Sequence, residues 1–233
     1  MDKANCAKME KRFSIDKVVC SSRGYDEYLR MFDLDENDLG SGRILDCAAG
    51  AASFTAELLE RGHDAVATDV LYDIDPDMLE KKCESDLSSI MESLSKVQDM
   101  YIWSYFKDPN EQRKRRTANY RKFIQDYRKR MGDRYIKSTL PNLPFSDNEF
   151  SFVLSSHFLF VYDDRLDYDF HRSCIQEMLR VSPKEVRIFP LVGLGGKRSL
   201  FVERVNKDPF FAEVDLEILK GYPMNSFGAQ TRC

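Results

Sequence analysis

The sequence predicts an α/β fold wound on both faces of a parallel sheet, and two stretches carry that prediction. In the first, Ile44-Leu45-Asp46-Cys47-Ala48-Ala49-Gly50-Ala51-Ala52-Ser53-Phe54, a short apolar run ends in a small-residue turn and passes into a helix-forming segment. In the second, the apolar run 65–68 follows Gly62 and ends in the carboxylate of Asp69. Strand, tight turn, helix and a second strand closed by an acid form the nucleoside-binding half of a doubly wound sheet. Small residues let the backbone approach a ligand closely, and an acid at the end of the next strand can accept both hydroxyls of a ribose. Asp46, just ahead of the turn, would repel a pyrophosphate at the helix N-terminus. It favours a ligand that carries a cationic amine.

The elements follow in order along a single domain spanning 1–233. Residues 1–40 precede the core as a helical cap, with a helix over 25–32 ended by the acidic stretch DLDEND. The first strand covers 43–47, the first core helix 51–61 and the second strand 64–69. The segment 73–134 is helical throughout, where the basic fold has one helix. Leu79, Leu87, Ile90, Met91, Leu94 and Val97 suit one amphipathic helix. Tyr101, Trp103, Tyr105 and Phe106 form an aromatic cluster before a break at Asp108-Pro109-Asn110. A second helix covers 111–131 and stops at Gly132. This insertion reads as a lid over the site, with an oligomer interface as the other reading. A short strand at 134–137 resumes the core, and an antiparallel pair at 214–219 and 227–232 closes it.

Composition narrows the function classes. A chain of 233 residues suits one large α/β domain with an insertion, and a net charge of -4 offers no global argument for nucleic acid. The N-terminal stretch lacks an apolar core and no run approaches the ~18 apolar residues of a membrane span. A soluble cytoplasmic protein with no membrane partner is expected. The six cysteines (6, 20, 47, 83, 174, 233) lack Cys-x-x-Cys spacing and read as reduced thiols, with Cys47 a small buried filler and no metal site. The basic run Arg113-Lys114-Arg115-Arg116, with Arg121, Lys122, Arg128, Lys129, Arg130 and Arg134, interleaves with Tyr120, Phe123 and Tyr127. That pattern can track a phosphate backbone, but the rest of the chain is acidic, and a solvated helix face is the simpler reading.

The stretch from Asp46 to Gly50, taken with Asp69, resembles motif I and the second-strand acid of class I S-adenosylmethionine (SAM)-dependent methyltransferases. Their usual pattern is Asp/Glu-x-Gly-x-Gly-x-Gly. Asp46 fits the acid and Gly50 the central glycine, while Ala48 and Ala52 stand where glycines are usual and narrow the turn. Leu143-Pro144-Phe145-Ser146-Asp147-Asn148-Glu149-Phe150 is similar to the stretch that leads into that family's fourth strand. Glu177-Met178-Leu179-Arg180-Val181 and the strand after it are similar to the next helix and strand. The resemblance implies a seven-stranded, mostly parallel, Rossmann-like sheet with SAM as cofactor. It assigns the methionyl amine to Asp46, directly or through water, the methionyl or ribose moiety to the space at Gly50, and the ribose to Asp69. The residues that line adenine become Ser138, Thr139 and Leu140, with Thr139 where an Asp is usual and Asn142 or the backbone left to meet the adenine amine. No Asn/Asp-Pro-Pro-Tyr/Phe motif of exocyclic-amine methylation is present, which argues against RNA as substrate.

Ligands of an open α/β sheet bind beyond the carboxyl ends of its strands. The fourth strand ends in Ser155-Ser156-His157, followed by Phe158-Leu159-Phe160-Val161-Tyr162. Ser155 is therefore expected against the cofactor, with His157 and Tyr162 facing the methyl acceptor. A methyl acceptor bearing O–H or N–H must lose a proton, and a histidine can accept it. Aromatic faces attract a sulfonium; Tyr25, Tyr28 and Phe32 share one helix face and either close over the ligand or form a packing stripe. Arg23 is a candidate for the methionyl carboxylate. Three functions compete. The first is a methyltransferase acting on a small molecule. The second, similar to azetidine-2-carboxylate synthases, consumes SAM alone by attack of its amine on its own Cγ, releasing methylthioadenosine. That reaction needs a neutral amine and a closed pocket, so an Asp46 gripping an ammonium would oppose it. The third is a non-catalytic SAM-binding module. The sequence leaves the acceptor and the oligomeric state open.

Overall fold

Runs of small and β-branched residues form strands that are buried on both faces. In the computed structural model, which describes residues 19–40, 42–100, 103–194 and 196–219, these are β1 (Ile44–Cys47), β2 (Ala65–Asp69), β3 (Tyr135–Lys137), β4 (Phe152–Ser156) and β5 (Val186–Phe189). They lie in the order β3-β2-β1-β4-β5 with every pair parallel. Near-continuous burial along β1, β2 and β4 is what a parallel sheet covered on both faces requires. Strand order reverses at β1, which pairs Asp46 with Ala67 of β2 on one side and with Leu154 of β4 on the other. A ligand crevice is expected above that switch point.

The sheet has five strands among the described residues, fewer than the seven expected. Residues 214–219 are irregular, and Leu216, Ile218 and Leu219 are exposed, so alternation there buries no face. The partner segment 227–232 lies outside the described residues.

α1 (Tyr25–Met31) stacks on α2 (Phe54–Glu60) through Tyr28 and Phe54, whose rings are 4.1 Å apart. The turn consumes Ala51 and Ala52, so α2 starts later than the sequence suggests. Two helices occupy the crossover from β2 to β3. α3 (Pro76–Ser95) is capped by Asp75, which accepts from the Asp77 and Met78 amides. α4 (Pro109–Arg130) is capped by Asp108, so the Asp-Pro pair that reads as a break is also the helix start. α4 packs on the sheet: Phe123 and Tyr127 meet Tyr135 of β3 edge-on at 5.5 and 5.6 Å. Five of its cations are matched by carboxylates, Arg115 by Glu111, Arg116 by Glu27, Lys122 by Glu60, Arg128 by Asp77 and Arg130 by Asp126. α5 (Tyr168–Val181) and α6 (Leu200–Val205) belong to the core cluster against β4 and β5.

Candidate functional site

A cavity of about 260 Å³ opens over the carboxyl ends of β1, β2 and β4, lined in part by Ala48, Gly50, Asp69, Thr139 and His157. Its floor is the turn after β1. Ala48 and Gly50 both adopt the left-handed conformation, at φ 59° and 58°. A Cβ built on Gly50 meets nothing within 4 Å, so the glycine leaves a cradle open to a ligand. Asp69 is fixed above the turn by two backbone donors, Gly50 N at 2.9 Å and Leu71 N at 3.1 Å. Each oxygen keeps a lone pair for a further donor. Tyr72 closes the arrangement from outside by donating to the Gly50 carbonyl at 2.7 Å. Burial raises the Asp69 pKa, against the pull of these backbone amides. The left-handed alanine carries strain that a glycine lacks, so Ala48→Gly is expected to stabilise the fold by roughly 0.5–1 kcal/mol. A lower midpoint in chemical denaturation would contradict this.

Behind the turn lies Asp46. It is fully enclosed and does not line the cavity. Tyr28 stands between, lining the cavity and donating its hydroxyl to Asp46 Oδ1 at 3.1 Å, while Oδ2 has no partner. Burial pushes Asp46 up to about 8, opposed by the Tyr28 hydrogen bond and reinforced by Asp69. A carboxyl with a higher pKa folded than unfolded binds its proton more tightly in the native state. Its stabilising contribution is complete below about pH 4 and is lost as pH rises through about 8. Asp46→Asn keeps an acceptor for Tyr28 and removes this titration. The variant is expected to flatten the decline in stability between pH 5 and 8, by on the order of a few kcal/mol at the alkaline end. Parallel urea titrations of both proteins at the two pH values measure it.

The end of β4 supplies the opposite wall. His157 is left-handed at φ 55° and its amide donates to the Phe189 carbonyl at 2.6 Å. A non-glycine residue held in this region is uncommon. Its Nδ1 lies 2.9 Å from the Ser156 hydroxyl. Burial, then the charges of Arg23 and Arg116, hold its pKa well below the usual histidine value, so the ring is neutral at physiological pH. Phe158 and Phe170 add aromatic surface to the lining.

Arg23 enters from the segment ahead of α1. It is buried, lines the cavity and donates to the Ser21 hydroxyl, yet its Nε has no partner. Burial, then Arg116, lower it to about 9. Its backbone is held by α4: Arg116 donates to the Ser22 carbonyl at 2.8 Å and pairs with buried Glu27. An unpaired, buried guanidinium is a ready site for an anion.

The structure therefore gathers Arg23, Ala48, Gly50, Asp69, Thr139, Leu140 and His157 around one space, and leaves four predicted residues outside its lining. Asp46 is screened by Tyr28. Ser155 is buried on the other face of β4 because strand residues alternate, and Ser156 takes its place. Tyr25 points outward, under the Arg61 guanidinium at 3.8 Å and with its hydroxyl toward Glu36. Tyr162 sits in a 3₁₀ turn beneath Arg165, clear of the cavity. From the insertion 73–134, Lys82 reaches the lining, bridged to Asp86 at 2.8 Å. Sequence reasoning missed Ser156, Lys82, Phe158 and Phe170 and left Tyr28 open between closing over the ligand and a packing stripe; it lines the cavity. Only strand alternation pointed to Ser156. Cys47 lines the floor as a buried thiol pushed up to about 12. Among the described residues no cluster of three His, Cys, Asp or Glu side chains suits a metal, and no helix is long and apolar enough to cross a membrane.

Sheet order, switch-point cavity and fixed acid define an open, doubly wound α/β protein with a cavity at the carboxyl ends of its strands. The chain belongs to the family of uncharacterized protein MJ0045 of Methanocaldococcus jannaschii, with 38% identity over 211 residues, 89% of this chain and 94% of that one. No family model matches it. Among solved structures it is similar to the PH0226 protein of Pyrococcus horikoshii, at 14% identity and a TM-score of 0.37, covering 70% of this chain. It is also similar to a Methanococcus maripaludis protein whose name assigns it provisionally to the SAM-dependent methyltransferases, at 16% identity and a TM-score of 0.31, covering 81% of this chain. The chain spans 57% and 64% of those two proteins' lengths. Overlap at this level assigns no activity.

Proposed function

We propose that the chain is a SAM-dependent transferase acting on a small molecule. The observation that carries this reading is Asp69, clamped by two backbone amides over the open cradle at Gly50 with lone pairs to spare. The residues present fit the cofactor. Asp69 would hold the ribose hydroxyls, Gly50 would make room for the methionyl or ribose moiety, and Thr139 and Leu140 would flank the adenine. The unpartnered Nε of Arg23 suits the methionyl carboxylate. When bound, SAM supplies an electrophilic carbon on a sulfonium. The protein's part is alignment of two reactants in an enclosed space, aromatic contact from Phe158 and Phe170 with a cation, and a neutral His157 able to take a proton.

The screening of Asp46 behind Tyr28 favours a second reading, consumption of SAM without an acceptor to give azetidine-2-carboxylate and methylthioadenosine. An Asp46 carboxylate gripping the amine would hold it as an ammonium and oppose that reaction, and Asp46 is not in the cavity lining. Incubation of the purified protein with SAM alone, followed by mass spectrometry, separates the readings. Enzyme-dependent methylthioadenosine with an equimolar four-membered imino acid establishes the second. Intact SAM that co-purifies with the protein leaves the first and directs a screen of small acceptors. Absence of binding removes both.

A further inference from the structure

The cavity reaches both faces of the sheet, and the two faces differ in chemistry. Tyr28, bonded to Asp46, lines it on one face. Side chains alternate along a strand, so Cys47 of β1 and Thr68 of β2, which pair across the ladder, leave the sheet on the face opposite Asp46. There the lining includes Thr68, Cys47, Leu140 and Leu143, and the last three belong to the core cluster that holds α5. Thr68 supplies the hydroxyl of this apolar lobe. It is 1% exposed, and its Oγ1 has no hydrogen-bond partner. Its ladder partner Cys47 offers only a thiol, which is a weak donor and a weak acceptor.

A buried hydroxyl without a partner costs the folded protein stability, and a valine of the same shape would avoid that cost. A ligand that brings the missing partner gives the hydroxyl a purpose. The lobe restricts what that ligand group can be. A charged group would lose its hydration against Leu140 and Leu143, and a hydrocarbon ring would leave Oγ1 unpaired. A flat ring with apolar faces and a hydrogen-bonding edge satisfies both, as in pockets where few polar groups fix a mainly apolar ligand. Position in the chain agrees. Thr68 directly precedes Asp69, and its carbonyl accepts from Ala49 N at 3.0 Å, which fixes it beside the turn.

We propose that this lobe binds the purine ring of the ligand and that the Thr68 hydroxyl hydrogen-bonds an in-plane atom on the ring's edge. The inference rests on reading the cavity as a SAM site, with the ribose at Asp69 and its base entering the lobe beside it. Thr68 is then a ligand-binding residue whose hydroxyl is kept at the expense of stability in the empty protein.

Thr68→Val keeps the shape of the side chain and removes the hydroxyl, and Thr68→Ser keeps the hydroxyl. In calorimetric titrations SAM should bind about tenfold more weakly to Thr68→Val and within roughly threefold of wild type to Thr68→Ser. Without ligand, Thr68→Val should unfold at an equal or higher urea concentration than wild type, the reverse of what loss of a structural hydrogen bond gives. Free adenine supplies a readout independent of the cofactor's tail: saturation-transfer NMR should detect it on wild type and lose it on Thr68→Val. Wild-type SAM affinity in Thr68→Val, or a lower unfolding midpoint in that variant, overturns the proposal. A wild-type protein that takes adenine through Thr68 but does not bind SAM keeps the ring site and rejects the cofactor. Binding of neither probe to wild type overturns both.

Discussion

Replacing Asp69 with alanine is expected to weaken SAM binding by roughly 100-fold or more, with the fold intact. Two donor–carboxylate hydrogen bonds are lost, each worth about 1.5–3 kcal/mol when the acceptor is charged. No neighbour replaces them. The amides of Gly50 and Leu71 lose their acceptor as well, but both face a cavity that water can enter, so the stability cost stays near ~1 kcal/mol. Calorimetric titration of SAM into wild type and variant measures the first effect, and thermal unfolding without ligand measures the second. Equal affinity in the two proteins would remove Asp69 from the site and with it the main support for a nucleoside ligand.

The largest loss of stability is expected from Arg116→Met. Arg116 and Glu27 form an ion pair with side chains only 5% and 3% exposed. Removing the cation leaves Glu27 buried with its charge uncompensated, which costs about 3–5 kcal/mol. The same change removes the shorter of two donors to the Ser22 carbonyl, leaving Asn119 at 3.3 Å, and the Ser22 hydroxyl still donates to the Arg116 carbonyl at 2.8 Å. The segment carrying Arg23 therefore loosens without coming free, and SAM affinity should drop alongside stability. The double variant Arg116→Met, Glu27→Leu should recover much of the stability, because an apolar pair of similar volume has no charge to desolvate. Urea unfolding of the two variants decides the matter. A single variant within ~1 kcal/mol of wild type would mean that water reaches Glu27.

These two residues were not equally legible in the sequence. Asp69 closes an apolar run at the one place where an acid can serve a ligand, so its role follows from local order along the chain. Arg116 stands in a run of cations, RKRR, whose members look alike in sequence. Three-dimensional packing sends that one inward to Glu27 and the Ser22 carbonyl and turns Arg115 outward to Glu111. The β4 end divides the same way. The sequence pointed to Ser155 and His157 at the mouth of the pocket; His157 lines it, and strand alternation puts Ser156 there in place of Ser155. Tyr25 and Tyr28 share a helix face, but the stacking of α1 on α2 aims Tyr28 at Asp46 and leaves Tyr25 beneath Arg61.

By itself, then, the sequence determined the strand–turn–helix–strand unit, the small-residue turn at Gly50 and the acid that closes the second strand. Those features depend on residues within a few positions of one another, where backbone sterics and hydrophobic periodicity act. Tertiary structure alone decided which side chains face the cavity, and that Asp46 lies one layer behind it with the Tyr28 hydroxyl in between. These residues are far apart in the chain, and they meet only because a parallel sheet brings the carboxyl ends of β1 and β4 side by side under α1.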